Sequence, residues 1–337
     1  MAGVKRQSSS KDRQRSSREQ KWQTSPSKNT GGAGKKPLPE PTSVQSVIVM
    51  LVMHVCRRIV LFETELKIAV YLGALFFGSL ICDFAPIPRS YFSRKSNFLN
   101  QYFVKWGWAW TFLSVSVFLA LTSWVYCCGN REKVKKHFWR LVIGSLMWFS
   151  WTKSFVLFEA YTSTCMSGKY NTKTSCLLAG SYWRGFDISG HAFLLIYCSL
   201  LIAEEAKSIR GWERIGDLIR NEEFDDESPL KPLTEVELTH LRDHYFKFTP
   251  YVRSTFIWLT LLSIVWDVML VATIIYFHSM VQKVVGGSIA ILTWYFTYKW
   301  WFKQPNSPGL PGQGCFKYTE LQVQAKKISA FQSFGPQ

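Results

Sequence analysis

The chain has 337 residues, a formal net charge of +17 and 47% hydrophobic and 16% aromatic residues, with a mean hydropathy of only +0.01. That average conceals a division between a very polar head and tail and several strongly apolar runs, which excludes an ordinary soluble domain. The positive charge gathers in the head and in one short loop, as membrane orientation requires, and this argues against nucleic-acid binding.

Residues 1–42 are rich in Lys, Arg, Ser, Gly and Pro and lack the apolar core of a cleavable leader, so they read as a disordered basic tail on the cytosolic side. Residues 43–62 are apolar from 44 to 55, but His54, Arg57 and Arg58 interrupt the run too early for a clean crossing. An amphipathic helix lying in the interface, its arginines at the headgroups, is expected there. A crossing at this point would reverse the side of every later loop.

Stretches of about 20 apolar residues fall at 66–84, 104–126, 138–158, 189–203, 255–277 and 284–302. The fold class is therefore an all-α polytopic membrane protein with six transmembrane helices. Its membrane domain runs over 63–304, with a cytosolic loop at 206–254 and a cytosolic tail at 305–337. Arg131, Lys133, Lys135 and Lys136 place the loop after the second span in the cytosol together with the head. The loops 85–103, 159–188 and 278–283 then face the lumen or the exterior.

Cys165 and Cys176 share one of these loops, where an oxidising compartment permits a disulfide. The other six cysteines lie in or beside spans or in the cytosol, and no Cys/His spacing resembles a zinc site. No metal or cofactor is expected. In the 206–254 segment, Thr234 with Glu237 fits a capping box at the start of a short helix.

Two histidines carry the chemistry. His191 opens the fourth span in Ser189-Gly190-His191, and His278 closes the fifth in Tyr276-Phe277-His278. Each alone also fits a helix-end or interfacial histidine. Topology nevertheless puts both on one face, whereas His137, His240 and His244 fall in the cytosol and His54 in the ambiguous segment. Two imidazoles at one depth on neighbouring antiparallel helices can serve as nucleophile and proton donor for a phosphoryl group. Ser189 can cap the following helix, and the amides of Ser189, Gly190 and His191 at its positive end favour phosphate.

Gln282 and Lys283 follow His278 and could bind the anion, although Lys283 also fits a snorkelling role. Glu159 stands at the same edge and could hold an imidazole in its active tautomer. Asp267 lies about three turns below His278 by helix rise, too far to be its partner, and Lys153 needs no role beyond snorkelling.

The residues also resemble a known family. Pro86-Ile87-Pro88-Arg89-Ser90-Tyr91, Asn97-Phe98-Leu99-Asn100-Gln101-Tyr102-Phe103-Val104-Lys105 and Gly185-Phe186-Asp187-Ile188-Ser189-Gly190-His191 resemble the fat storage-inducing transmembrane (FIT) family. Tyr276-Phe277-His278, Gln282-Lys283-Val284 and Ser307-Pro308-Gly309-Leu310-Pro311 extend the match over about residues 66–315. The resemblance implies a six-span protein of the endoplasmic reticulum membrane, both termini cytosolic and the active site luminal, related to the phosphatidic-acid-phosphatase type 2 enzymes.

It further implies an acyl-CoA diphosphatase that cleaves the coenzyme A pyrophosphate to acyl 4'-phosphopantetheine and adenosine 3',5'-bisphosphate and supports lipid droplet formation. By similarity His191 donates the proton and His278 attacks phosphorus. The sequence departs from the phosphatases in lacking their Lys-x6-Arg-Pro motif. It also has Ile188 before Ser189, no Ser-Arg pair before His278, and Gln282 where an Asp would orient the nucleophile. Arg184, Lys283 and the Ser189–His191 amides are the substitutes that the sequence offers for the missing phosphate clamp. The competing expectation is a non-catalytic protein that binds and partitions diacylglycerol or triacylglycerol among its aromatic-rich spans.

Overall fold

The computed structural model describes residues 43–85, 87–94, 96–169, 171–225 and 228–318. The expected head at 1–42, Pro86 of a quoted motif and residues 319–337 of the expected tail lie outside the described residues.

The described chain is mostly helical. Helix α1 (Val44–Val60) starts at Ser43, whose hydroxyl accepts from the Ser46 amide. It buries Met53, Cys56 and Val60 and leaves Val44, Val47, Ile48, Leu51 and Val55 exposed. α2 (Thr64–Gly73) and α3 (Ser79–Phe84), joined by a π-helical turn at Ala74–Gly78, make one apolar run of 21 residues. α4 (Gly107–Tyr126) and α5 (Arg131–Thr162) meet at a tight turn in which Cys128 and Gly129 both have positive φ.

A small hairpin of β1 (Thr164–Cys165) and β2 (Trp183–Arg184) follows, enclosing α6 (Lys173–Leu178) and closed by a Cys165–Cys176 disulfide. Then come α7 (Gly190–Glu205), α8 (Trp212–Arg220), the 42-residue α9 (Glu235–Tyr276) and α10 (Met280–Trp294), which continues as a π-helical turn at Tyr295–Trp300.

Four of these segments are long and apolar enough to cross a membrane: Thr64–Phe84, Gly107–Tyr126, Arg131–Thr162 and Glu235–Tyr276. The stretches read from the sequence as the fourth and sixth spans correspond to α7 and α10. α7 has 16 residues, about 24 Å by helix rise against a hydrocarbon core of about 30 Å. It forms the axis of the bundle, with every residue from 195 to 205 buried and α4, α9 and α10 packed around it. The closest approach is to α10, where a Cβ on Gly286 would stand 2.5 Å from the Ser189 carbonyl oxygen. Glycine is required there by backbone contact, not by a turn.

Two regions differ from the sequence expectation. The segment 206–254 is not mainly loop, because α9 begins at Glu235. The Thr234–Glu237 capping box is present, and the helix passes through Pro250 without ending. The guanidinium of Arg253 grips both carboxylate oxygens of Glu213 on α8, which ties this extension down.

Residues 305–318, read as the start of a tail, instead form a strap packed onto the bundle with Phe316 and Tyr318 buried. Its anchor is Arg140, wholly buried and bidentate to Glu205 at 2.7 and 2.8 Å. Tyr298 donates to the same carboxylate at 2.7 Å. Arg140 also donates to the Gly309 carbonyl and to His137 Nδ1, which leaves His137 Nε2 to donate to the Gln313 carbonyl at 2.9 Å. Tyr318 completes the strap by donating to the Ser208 carbonyl at 2.9 Å.

Candidate active site

Ser189 caps α7, its hydroxyl accepting from the Ala192 amide at 3.3 Å, so that His191 falls in the first turn. Its own N–H donates to the Gln282 carbonyl in the first turn of α10, at 3.2 Å. α9 ends at Tyr276, and only Phe277, His278 and Ser279 separate it from α10. His278 sits there at a φ of 56°, a left-handed conformation uncommon for histidine and one of the means by which sites hold a side chain in a set direction. The Phe277 ring lies parallel to the His191 ring with centroids 6.3 Å apart. The two histidines therefore occupy one end of the bundle, on adjoining helix ends stitched by a backbone hydrogen bond.

One imidazole has a hydrogen-bond partner and the other a carboxylate at the edge of ion-pair range. His191 Nε2 lies 3.1 Å from Asn100 Oδ1. With the amide oxygen accepting, this imidazole carries its proton on Nε2. Asn100 is buried, and its backbone N–H donates to Asn97 Oδ1 at 2.7 Å. His278 Nδ1 lies 4.0 Å from Asp187 Oδ2. In the sequence Asp187 and Asn100 stand only as parts of motifs, with no role of their own. Asp187 was legible as an acid four residues before His191, but its pairing with a histidine 91 positions later is decided in space.

The remaining candidates divide. A Cβ built on Gly190 meets nothing within 4 Å, so the approach to the start of α7 is open. Glu159 stands in the last turn of α5, on the same side of the bundle, where Phe158 packs edge-on against Phe186 of the segment leading to His191. Gln282 spends its side chain on the Ser279 amide in a second capping box. Lys283 is 1% exposed and donates its ammonium to the Ile274 carbonyl at 2.7 Å, capping the end of α9. Its charge is thus directed into the protein, and Arg184 is exposed on β2 of the disulfide-closed hairpin. Asp267 accepts from the Tyr71 hydroxyl at 2.6 Å and the Ser199 hydroxyl at 3.5 Å, inside the bundle and away from His278.

A family model described as "Fat storage-inducing transmembrane protein" matches residues 88–161 and 159–298. The chain is 46% identical over 294 residues to a Drosophila melanogaster protein named acyl-coenzyme A diphosphatase FITM2, covering 85% of this chain and 70% of that protein. It is 35% identical over 246 residues to the Homo sapiens protein of the same name, covering 71% and 83% of the two chains. With the Xenopus laevis protein of that name the identity is also 35%, over 241 residues and 69% and 81% of the chains. No solved structure matches it.

Proposed function

Because the chain belongs to the fat storage-inducing transmembrane protein family, we propose that it is an acyl-coenzyme A diphosphatase and that His191 and His278 are its reacting groups. The observation that carries this assignment is the placing of both histidines on adjoining helix ends, with Asn100 hydrogen-bonded to His191 and the Asp187 carboxylate 4.0 Å from His278. With Nδ1 turned to Asp187, His278 presents Nε2 to one phosphorus of the coenzyme A pyrophosphate. A bond forms from that nitrogen to phosphorus, and the bond from phosphorus to the bridging oxygen breaks. His191, protonated on both nitrogens and held to Asn100 through Nε2, gives the departing oxygen its Nδ1 proton, and the neutral Nδ1 then takes one from the attacking water. Water then cleaves the phosphorus–nitrogen bond, so acyl-CoA and water yield acyl 4'-phosphopantetheine and adenosine 3',5'-bisphosphate.

Incubating the purified protein with palmitoyl-CoA is expected to release adenosine 3',5'-bisphosphate, detected by mass spectrometry. No release from folded protein would overturn the enzymatic assignment in favour of a neutral-lipid binder.

Asp187 orients the nucleophile, taking the place of the acid that Gln282 cannot supply. Asp187→Asn is expected to lower turnover by about 10- to 100-fold, the usual effect of removing an outer partner of a functional imidazole, with little change in KM. Unchanged turnover would remove Asp187 from the mechanism.

The setting proposed for this chemistry is the endoplasmic reticulum membrane, with six crossings, cytosolic termini and a luminal site. Two observations support it. The Cys165–Cys176 disulfide lies on the side of the histidines, as an oxidising lumen allows. Arg131, Lys133, Lys135 and Lys136 lie in the first turns of α5, at its opposite end. Glycosylation acceptors inserted beside Lys135 are expected to stay unmodified and those inserted at Gly168 to be modified. The reverse pattern would place the site in the cytosol.

A further inference from the structure

The loop 87–98 brings Arg89 and Arg94 to the same end of the bundle as the histidines. Both are exposed, and among the described residues neither guanidinium meets a carboxylate. They line a polar cavity of about 640 Å³ together with Ser90, Tyr91, Ser93 and Tyr276. Ser90 and Tyr276 also belong to an adjoining apolar groove of about 400 Å³. Its wall is one face of α9, including Ile264, Val268, Val271 and Ile275, with Asp267, whose carboxylate accepts from the Tyr71 hydroxyl, as its one charged member among the described residues, and Phe92 closes it from the loop. From Ile264 to Tyr276 this face runs about 18 Å by helix rise, a little over half of the ~30 Å hydrocarbon core. That is the depth one acyl chain occupies in a leaflet.

The loop is built to hold this shape. Ser90 Oγ accepts from the Phe92 amide at 3.2 Å, and the Ser93 hydroxyl donates to the Ser90 carbonyl at 2.7 Å. The buried Asn97 side chain donates to the Arg94 carbonyl at 2.9 Å and accepts from the amide of Asn100, the partner of His191. On the other side, Tyr276 is two residues before His278, at most about 7 Å of chain. The arginines and the groove are thus registered to both imidazoles through separate short connections.

We propose that Arg89 and Arg94 hold the phosphates of a long-chain acyl-CoA while the α9 groove seats its acyl chain. This rests on the assignment of the histidines to acyl-CoA. A tail-sized apolar groove continuous with a cavity carrying two unpaired guanidinium groups matches an amphiphile with a polyanionic head, since arginine grips phosphate oxygens in pairs. A neutral lipid would leave both charges without use. The loop arginines fill the role left open where the chain lacks the phosphatases' arginines before Ser189 and before His278, and they stabilise the negative charge that develops in the transition state.

The test is equilibrium binding to the full chain carrying His278→Ala, in phosphatidylcholine nanodiscs, so that turnover is not needed. Arg89→Gln and Arg94→Gln are each expected to weaken palmitoyl-CoA by about tenfold, a charge-assisted hydrogen bond's worth, and to leave phosphate-free palmitoyl-pantetheine unchanged. Val268→Trp, at an exposed position of the groove, is expected to weaken both ligands and to spare octanoyl-CoA. Unchanged palmitoyl-CoA binding in both arginine variants overturns the proposal, as does equal loss of both ligands. Displacement of palmitoyl-CoA by equimolar phosphatidate would make a phospholipid the occupant and overturn it too. Binding as expected, without release of adenosine 3',5'-bisphosphate by the unsubstituted protein, would sink only the catalytic assignment. Release together with unaffected binding in the arginine variants would sink only the clamp.

Discussion

Replacing His278 by alanine is expected to reduce the release of adenosine 3',5'-bisphosphate from palmitoyl-CoA by more than about 10³-fold, because the variant has no atom to accept phosphorus. His191→Ala removes the proton from the leaving oxygen and is expected to cost about 10²- to 10⁴-fold. Neither side chain belongs to the buried core, so both variants should keep the helical content and melting temperature of the parent. Turnover and unfolding, measured on the same preparations, check this. Parent-like turnover in a folded His278 variant would remove the covalent step from the mechanism.

The second large effect lies at the other end of the molecule. Arg140→Ala or Glu205→Ala leaves one charge buried without its partner, and such losses destabilise by about 3–5 kcal/mol. The carboxylate also serves Tyr298, and the guanidinium also serves Gly309 and His137, so the strap should loosen with the pair. Thermal unfolding in detergent, with limited proteolysis of residues 304–318, would register both changes. Substituting both residues at once, Arg140→Met with Glu205→Leu, should cost less than either alanine, since no unpaired charge remains. A double variant as unstable as the single ones would show that the network does more than balance charge.

Much of this architecture was legible in the sequence, and the exceptions have physical causes. The long apolar runs, the Thr234–Glu237 box and the placing of His191 and His278 at helix ends are local signals, set by residues within a few positions of one another. Lys283 misleads for the opposite reason. Its position after His278 suggests an anion ligand, but the close packing of α10 turns its amine onto the Ile274 carbonyl. The Pro- and Gly-rich stretch at 305–312 has the composition of a loop, and its attachment depends on Arg140, whose burial no local pattern announces. Asp187 and Asn100 were visible as motif members, but their partners are 91 residues away in both cases. The start of α9 is marked by its capping box, but the run of that helix through Pro250 into the fifth span, tied down by Arg253 on Glu213, exceeds the short helix expected there.

The strap also sets an order of events during biosynthesis. Arg140 lies near the beginning of α5, yet one of the carbonyls it serves, Gly309, is 169 residues further along. Domains generally begin to fold from the N-terminal side as they are made, but the arginine, its histidine neighbour and the end of α4 cannot reach their final partners until α10 and the strap that follows it have been made. Translation must be nearly finished before this end of the bundle is sealed. A nascent chain interrupted after α10 would present a buried-type arginine with its coordination incomplete, a mark by which quality control could tell unfinished molecules from finished ones.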